Sequence, residues 1–249
     1  MRLFFLAALA ACAASVSAAE PASDPVAFNT WARVTLDAAG HPLSIEPSPD
    51  LPEAVRDVIG DRVARWHFTP PGRNGVTGGA ITYVQLGACA LPDASGGYRL
   101  GVDLKGSGPR YAVAPVMLVP AYPRHEMRRG GEAKMVVSYV VERDGSTTFE
   151  GVDFTDGRSH RRDSFADVAR LWVQGMRYEP EFLAGDAVRT RITVSLEFSL
   201  TPGRGTHVEQ GLDSAECRLA AGQGPATLQP LAMDSPVKIE PRASRAVRS

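Results

Sequence analysis

Between Arg191 and Leu200 every second residue is apolar. Ile192, Val194, Leu196, Phe198 and Leu200 fall on one side of an extended chain, and Arg191, Thr193, Ser195, Glu197 and Ser199 on the other. A β-strand places successive side chains on opposite faces, so this stretch reads as a strand with one face buried and one wet. The residues before it supply its partners. Met135, Val137, Tyr139 and Val141 alternate with Val136, Ser138 and Val140. Arg143-Asp144-Gly145-Ser146 follows, and Asp-Gly tolerates the positive φ of a tight hairpin, so Thr147 to Phe154 reads as the returning strand. Ser164-Phe165-Ala166-Asp167 is a helix start, after which Phe165, Val168, Ala169, Trp172 and Met176 share one face. Tyr178-Glu179-Pro180 ends that helix because proline cannot continue it. The order is strand, strand, helix, strand.

The same order occurs earlier. Trp31 to Asp37 alternates, Ala38-Ala39-Gly40 turns, and Pro42 to Glu46 returns. Asp50-Leu51-Pro52-Glu53 has the acid, proline and glutamate of a helix start. Leu51, Val55, Val58, Ile59, Arg62, Val63 and Trp66 keep helical spacing with one polar interruption. Phe68-Thr69-Pro70, Gly75 and Ala80 then stand to one another as Tyr178-Glu179-Pro180, Gly185 and Thr190 do. The expected fold class is α+β: two tandem ββαβ units at residues 26–90 and 119–200, each a small antiparallel three-stranded sheet packed by a helix. Residues 91–118 read as a Gly-rich connector with short strands at Tyr98 to Leu104 and Arg110 to Ala114. Residues 201–249 lose periodicity and read as a partly disordered tail.

Charge narrows the function classes. Lys plus Arg (27) and Asp plus Glu (28) nearly cancel over 249 residues, which leaves no field to gather nucleic acid or an anionic membrane. Residues 1–19 read as a signal peptide: Arg2, an apolar Leu3 to Leu9, and small residues at Val16-Ser17-Ala18-Ala19 suited to cleavage. Two alternatives stay open, retention of Leu3 to Ala19 as a membrane anchor and acylation of Cys12 in Leu9-Ala10-Ala11-Cys12. The expected location is the periplasm, with membrane contact only through an uncleaved N-terminus or a lipidated Cys12. Cys89 and Cys217 would remain as an even pair in an oxidising compartment. A disulfide between them is the expectation, and two separate buried thiols the alternative.

Val119-Pro120-Ala121-Tyr122-Pro123 and the Arg124 to Ala133 stretch that follows resemble the lead-in to the C-terminal domain of the TonB energy transducers. There a Tyr-Pro pair precedes a short helix, a glycine and the first strand. The Val136 to Val141 strand, the Asp144-Gly145 hairpin, the Tyr178-x-Pro180 helix exit and the Ile192 to Phe198 strand follow in matching order. The first unit is similar but lacks the Tyr-Pro pair. Glu126 stands where the family usually has a small residue, and Ala133 where it has a glycine. The resemblance implies a protein partner in the cell envelope, the periplasmic segment of an outer-membrane TonB-dependent transporter. That partner would be bound by strand addition at Arg191 to Phe198. The residues implied are Arg191, Thr193, Ser195 and Glu197 on the edge, with Val119, Pro120, Tyr122 and Pro123 framing it. The alternative for that edge is that the tail or the other unit already covers it. The alternative function is an energy transducer with an uncleaved or separate membrane anchor.

The remaining chemistry is sparse. The five histidines form no ligand pair and there is no Cys-x-x-Cys, so neither metal nor cofactor is expected. Ser159-His160 with Asp163 reads as a solvated loop, and Gly72 to Gly79 leads into a strand where a phosphate cradle needs a helix. No catalytic residue is assigned, and the expectation is a binding protein and not an enzyme.

Overall fold

The computed structural model of the chain describes residues 25–92, 98–112, 120–157, 162–200 and 231–240. It is an α+β structure built on two antiparallel sheets. In the first, β1 (Val26–Leu36) and β2 (Pro42–Pro47) form a hairpin whose turn is held by Asp37: its Oδ1 accepts the N–H groups of Ala39 and His41 at 2.8 Å. Helix α1 (Glu53–Val63) packs Ile59 and Val63 onto the sheet. It starts behind Pro52, with no side-chain cap. Asp50, expected at that start, instead accepts from Ser48 Oγ at 3.4 Å.

After α1 come β3 (His67–Phe68), a small hairpin of β4 (Gly72–Arg73) and β5 (Val76–Thr77), and the long β6 (Ala80–Pro92). β6 is central. It pairs with the whole length of β1 and, on its other side, with β7 (Tyr98–Gly108). The strand expected at Tyr98 to Leu104 in the connector is there and runs on to Gly108. Leu100, Val102 and Leu104 alternate onto the first core, and that burial outweighs the weak strand preference of glycine.

β8 (Arg110–Tyr111) leads toward the second sheet, which is preceded by the short helix α2 (Arg124–Arg129). The hairpin of β9 (Ala133–Val141) and β10 (Thr147–Asp156), the helix α3 (Arg162–Gln174), the stub β11 (Tyr178–Glu179), a second small hairpin of β12 (Phe182–Leu183) and β13 (Asp186–Ala187), and β14 (Thr190–Phe198) follow. α3 buries Phe165, Ala169 and Val173 against Met135, Val137, Tyr139, Val194 and Leu196. The β9–β10 turn is locked at Gly145, where φ is +80° and a Cβ would overlap the carbonyl oxygen of Tyr178. Only glycine meets both demands. Tyr178 N–H donates to Gly145 O at 2.9 Å, so the turn docks on the helix exit.

The sheets are larger than the three strands expected, because segments from outside each unit join them. β12 pairs with the start of β6 and brings β13 with it, giving a six-stranded first sheet. β15 (Leu231–Ala232) adds to β14, giving a four-stranded second sheet in the order β10-β9-β14-β15. β8 pairs with β11, and β16 (Ile239–Glu240) pairs with β3. Such pairings join residues far apart in sequence, where periodicity carries no information on partners. Side chains reinforce these pairings. The Arg110 guanidinium stands 3.9 Å over the Trp31 ring and bonds Glu179, and Leu183, Val237 and Ile239 pack into the first core.

Candidate functional site

The site begins with the direction of main-chain groups along β14. This strand pairs with β9 from Thr190↔Val141 to Phe198↔Ala133. Arg191, however, turns its N–H and C=O away from β9. The N–H donates to Asp234 Oδ1 at 2.7 Å and the carbonyl accepts from Met233 N–H at 2.9 Å. Backbone direction in a strand repeats every second residue, so Thr193, Ser195 and Glu197 aim their groups to the same side. These are the four edge residues expected from the sequence, and the structure brings them into one row.

Part of that row is occupied. β15 pairs Ala232 with Ile192 and Leu231 with Thr193, and Thr193 Oγ1 lies 3.4 Å from Met233 Sδ. Among the described residues no strand pairs with Ser195 or Glu197 on this side. The side chains on the wet face are charged and matched. Arg191 makes two bonds to Glu150 of β10, at 2.8 and 3.0 Å, and Lys134 meets Glu197 at 3.3 Å. The Glu150 carboxylate holds the Arg191 guanidinium above its usual range.

The framing residues are placed differently. Val119 lies outside the described residues. Pro120 and Pro123 are buried, and Pro123 stands at the start of α2. Tyr122 does not present its ring to a groove. Its hydroxyl donates to Gly131 O, and the ring meets Phe165 and Phe198 edge-on at 5.9 and 5.3 Å, so it belongs to the second core. Glu126 is fully buried and touches His125 Nδ1 at 3.3 Å. It takes the space a side chain at Gly131 would need, which explains how the fold admits it where the resemblance leads one to expect a small residue. Cys89 is buried on β6, while Cys217 and Cys12 lie outside the described residues.

The functional pieces missed from sequence are Asp234 and Arg73. Asp234 Oδ2 accepts from Arg73 Nη2 at 2.6 Å, and Arg73 Nη1 also bonds Arg189 O. One carboxylate thus ties the first unit, the tail and β14. The alternation of Val237 and Ile239, in a tail otherwise without period, was the signal available. Beside them sits Glu181, fully buried. Thr82 Oγ1 and Ser235 Oγ each donate to its Oε1 at 2.7 Å, and Thr190 Oγ1 to its Oε2 at 3.0 Å. Burial raises its carboxyl above the usual range, against the opposing pull of those three donors.

Among the described residues no group of three or more His, Cys, Asp or Glu side chains is placed to hold a metal ion, and no helix is long and apolar enough to cross a membrane. Residues 119–200 match the family model described as the Gram-negative bacterial TonB protein C-terminal, and the match covers about a third of the chain. No curated protein matches the chain.

Proposed function

Taking as premise that residues 119–200 are a TonB C-terminal family segment, we propose that the chain is a binding module of the cell envelope. It acts on the periplasmic side by receiving an extended peptide from an outer-membrane transporter on β14. The observation that carries this reading is the outward row of main-chain groups at Arg191, Thr193, Ser195 and Glu197. An edge of this kind offers alternating donors and acceptors to any extended chain, so the backbone supplies affinity and side-chain pockets supply selectivity. The reading is of a binding protein and not an enzyme, exported by residues 1–19, with Cys89 bridged to Cys217.

In the same reading, the chain is a tandem duplication of one ββαβ unit. Strand order supports it, since β2-β1-β6 parallels β10-β9-β14. Turn docking supports it too. Gly40, at φ +87°, leaves no room for a Cβ against Phe68 O, as Gly145 leaves none against Tyr178 O. The second unit alone retains the Tyr-Pro lead-in and is therefore assigned the partner.

A photo-crosslinking side chain in place of Ser195, in cells that express the chain, tests the reading. Crosslinks to an outer-membrane transporter are expected. A folded, exported protein that yields no transporter adduct from Ser195 contradicts it.

A further inference from the structure

The segment Leu231–Asp234 sits where the proposed partner would sit, and its contacts describe what fits there. It runs antiparallel to β14, with Ala232 opposite Ile192. Ala232 faces inward onto the second core, and its Cβ would meet a Cβ built at Gly108 at 2.7 Å. Gly108 itself has φ +142°, a conformation that L side chains rarely adopt. The site opposite Ile192 thus sets a small side chain against a glycine. Two residues on, the Asp234 carboxylate accepts the Arg191 N–H and the Arg73 guanidinium together. Leu231, before these anchors, and Met233, between them, point to solvent and are each 57% exposed. Recognition thus rests on one small residue and one acid, on a strand of fixed direction.

The hold on this segment is uneven. From Ser235 onward the chain is tied elsewhere: Ser235 to Glu181, and then to the first unit through Gly72 N–H to Pro236 O, Thr69 N–H to Lys238 O, and β16 to β3. Leu231–Asp234 is held on β14 by a two-residue ladder, the Met233 bond and Asp234. A segment tethered beside its own site competes at high effective concentration without needing strong contacts.

We propose that Leu231–Asp234 is a built-in occupant of the partner edge, displaced when the partner binds. The partner would carry an extended antiparallel strand of the same chemistry, a small apolar residue followed two positions later by a carboxylate. This inference rests on the strand-addition reading above.

Amide hydrogen exchange on the full chain tests it, with a synthetic peptide of residues 231–240 as probe. In the wild type, the Arg191 and Thr193 amides exchange slowly. Ala232→Trp, too large for the space against Gly108, should evict the segment and speed both. Asp234→Ala, which leaves that space alone, should speed Arg191 by about tenfold or more, the factor that corresponds to a lost charge-assisted hydrogen bond. Excess probe should restore slow exchange in both variants, and a probe bearing Ala232→Trp should not. Amides that stay slow in both variants, or that stay fast with the wild-type probe, overturn the inference. If the probe protects the edge while peptides from transporter periplasmic segments do not, the choice of partner in the earlier reading fails and the built-in occupant stands.

Discussion

Thr82 Oγ1 donates to Glu181 Oε1 across 2.7 Å, joining the central strand of the first sheet to the residue that leads into β12. Ser235 bonds the same oxygen and Thr190 the other, so one buried carboxyl links both sheets and the tail. No ladder in either sheet alone makes that connection.

Glu181 should make stability depend on pH. Its carboxyl is raised in the folded chain above the ordinary value of 4.5, chiefly by burial. A raised acid favours the fold while it is protonated, and that contribution is lost as pH rises from the unfolded value through the folded one. Glu181→Gln removes the titration. The urea midpoint of the wild type relative to this variant should therefore be highest below about pH 4.5, the ordinary carboxyl range, and fall as pH rises. A relative midpoint that climbs with pH contradicts the assignment.

The buried hydroxyl pair of Tyr139 and Tyr178, 2.6 Å apart, gives a second test. Tyr178 OH also lies 3.6 Å from Met176 Sδ, and Tyr111 stacks on the Tyr178 ring at 4.5 Å. Removing one hydroxyl leaves its partner short of a bond in a buried site, which costs about 1–3 kcal/mol. Tyr139→Phe and Tyr178→Phe should each lower unfolding free energy by about that amount, and the double variant by clearly less than the sum. Additive losses would mean that the two hydroxyls do not act as a pair.

Cys89 lies in the middle of the first sheet, fully buried on β6. If it is bridged to Cys217, the exported protein should take no thiol label when denatured without reductant and two labels after reduction. Chain-entropy arguments give such a long closed loop about 2–5 kcal/mol of stabilisation, so Cys217→Ser should lower the urea midpoint. Two labels before reduction would remove the bridge from the account.

Much of this was legible in the sequence where a residue's partner lies close along the chain. The alternation of Ile192, Val194, Leu196 and Phe198 marked β14 and its buried face, and Asp144-Gly145 marked the β9–β10 turn. The helical face of Phe165 and Ala169 was equally plain, because a period of 3.6 is a local property. What escaped was pairing at a distance. The Phe182–Leu183 stub joins the first sheet through Ile81 and Ala80, about a hundred residues away, and two residues carry no period. Asp234 was missed for the same reason: its meaning lies in Arg73 and Arg191, which only the fold brings to it. The surroundings of Tyr122 were hidden too, because an aromatic ring with a polar tip suits an interface and a core alike, and its acceptor at Gly131 is seen only in the fold.

The central claim, that β14 takes up a partner strand, is tested most directly by calorimetry of the full chain against synthetic peptides from the periplasmic segments of outer-membrane transporters, with Ser195→Pro as the control. Ser195 lies beyond the reach of β15, and its N–H points away from β9, so proline there removes a donor to the incoming strand while sparing the β9 ladder. The account predicts saturable binding by the wild type and a loss of at least about tenfold, one charge-free ladder bond or more, in a Ser195→Pro chain that keeps its fold. Equal binding by wild type and variant, or none by the wild type, would contradict it.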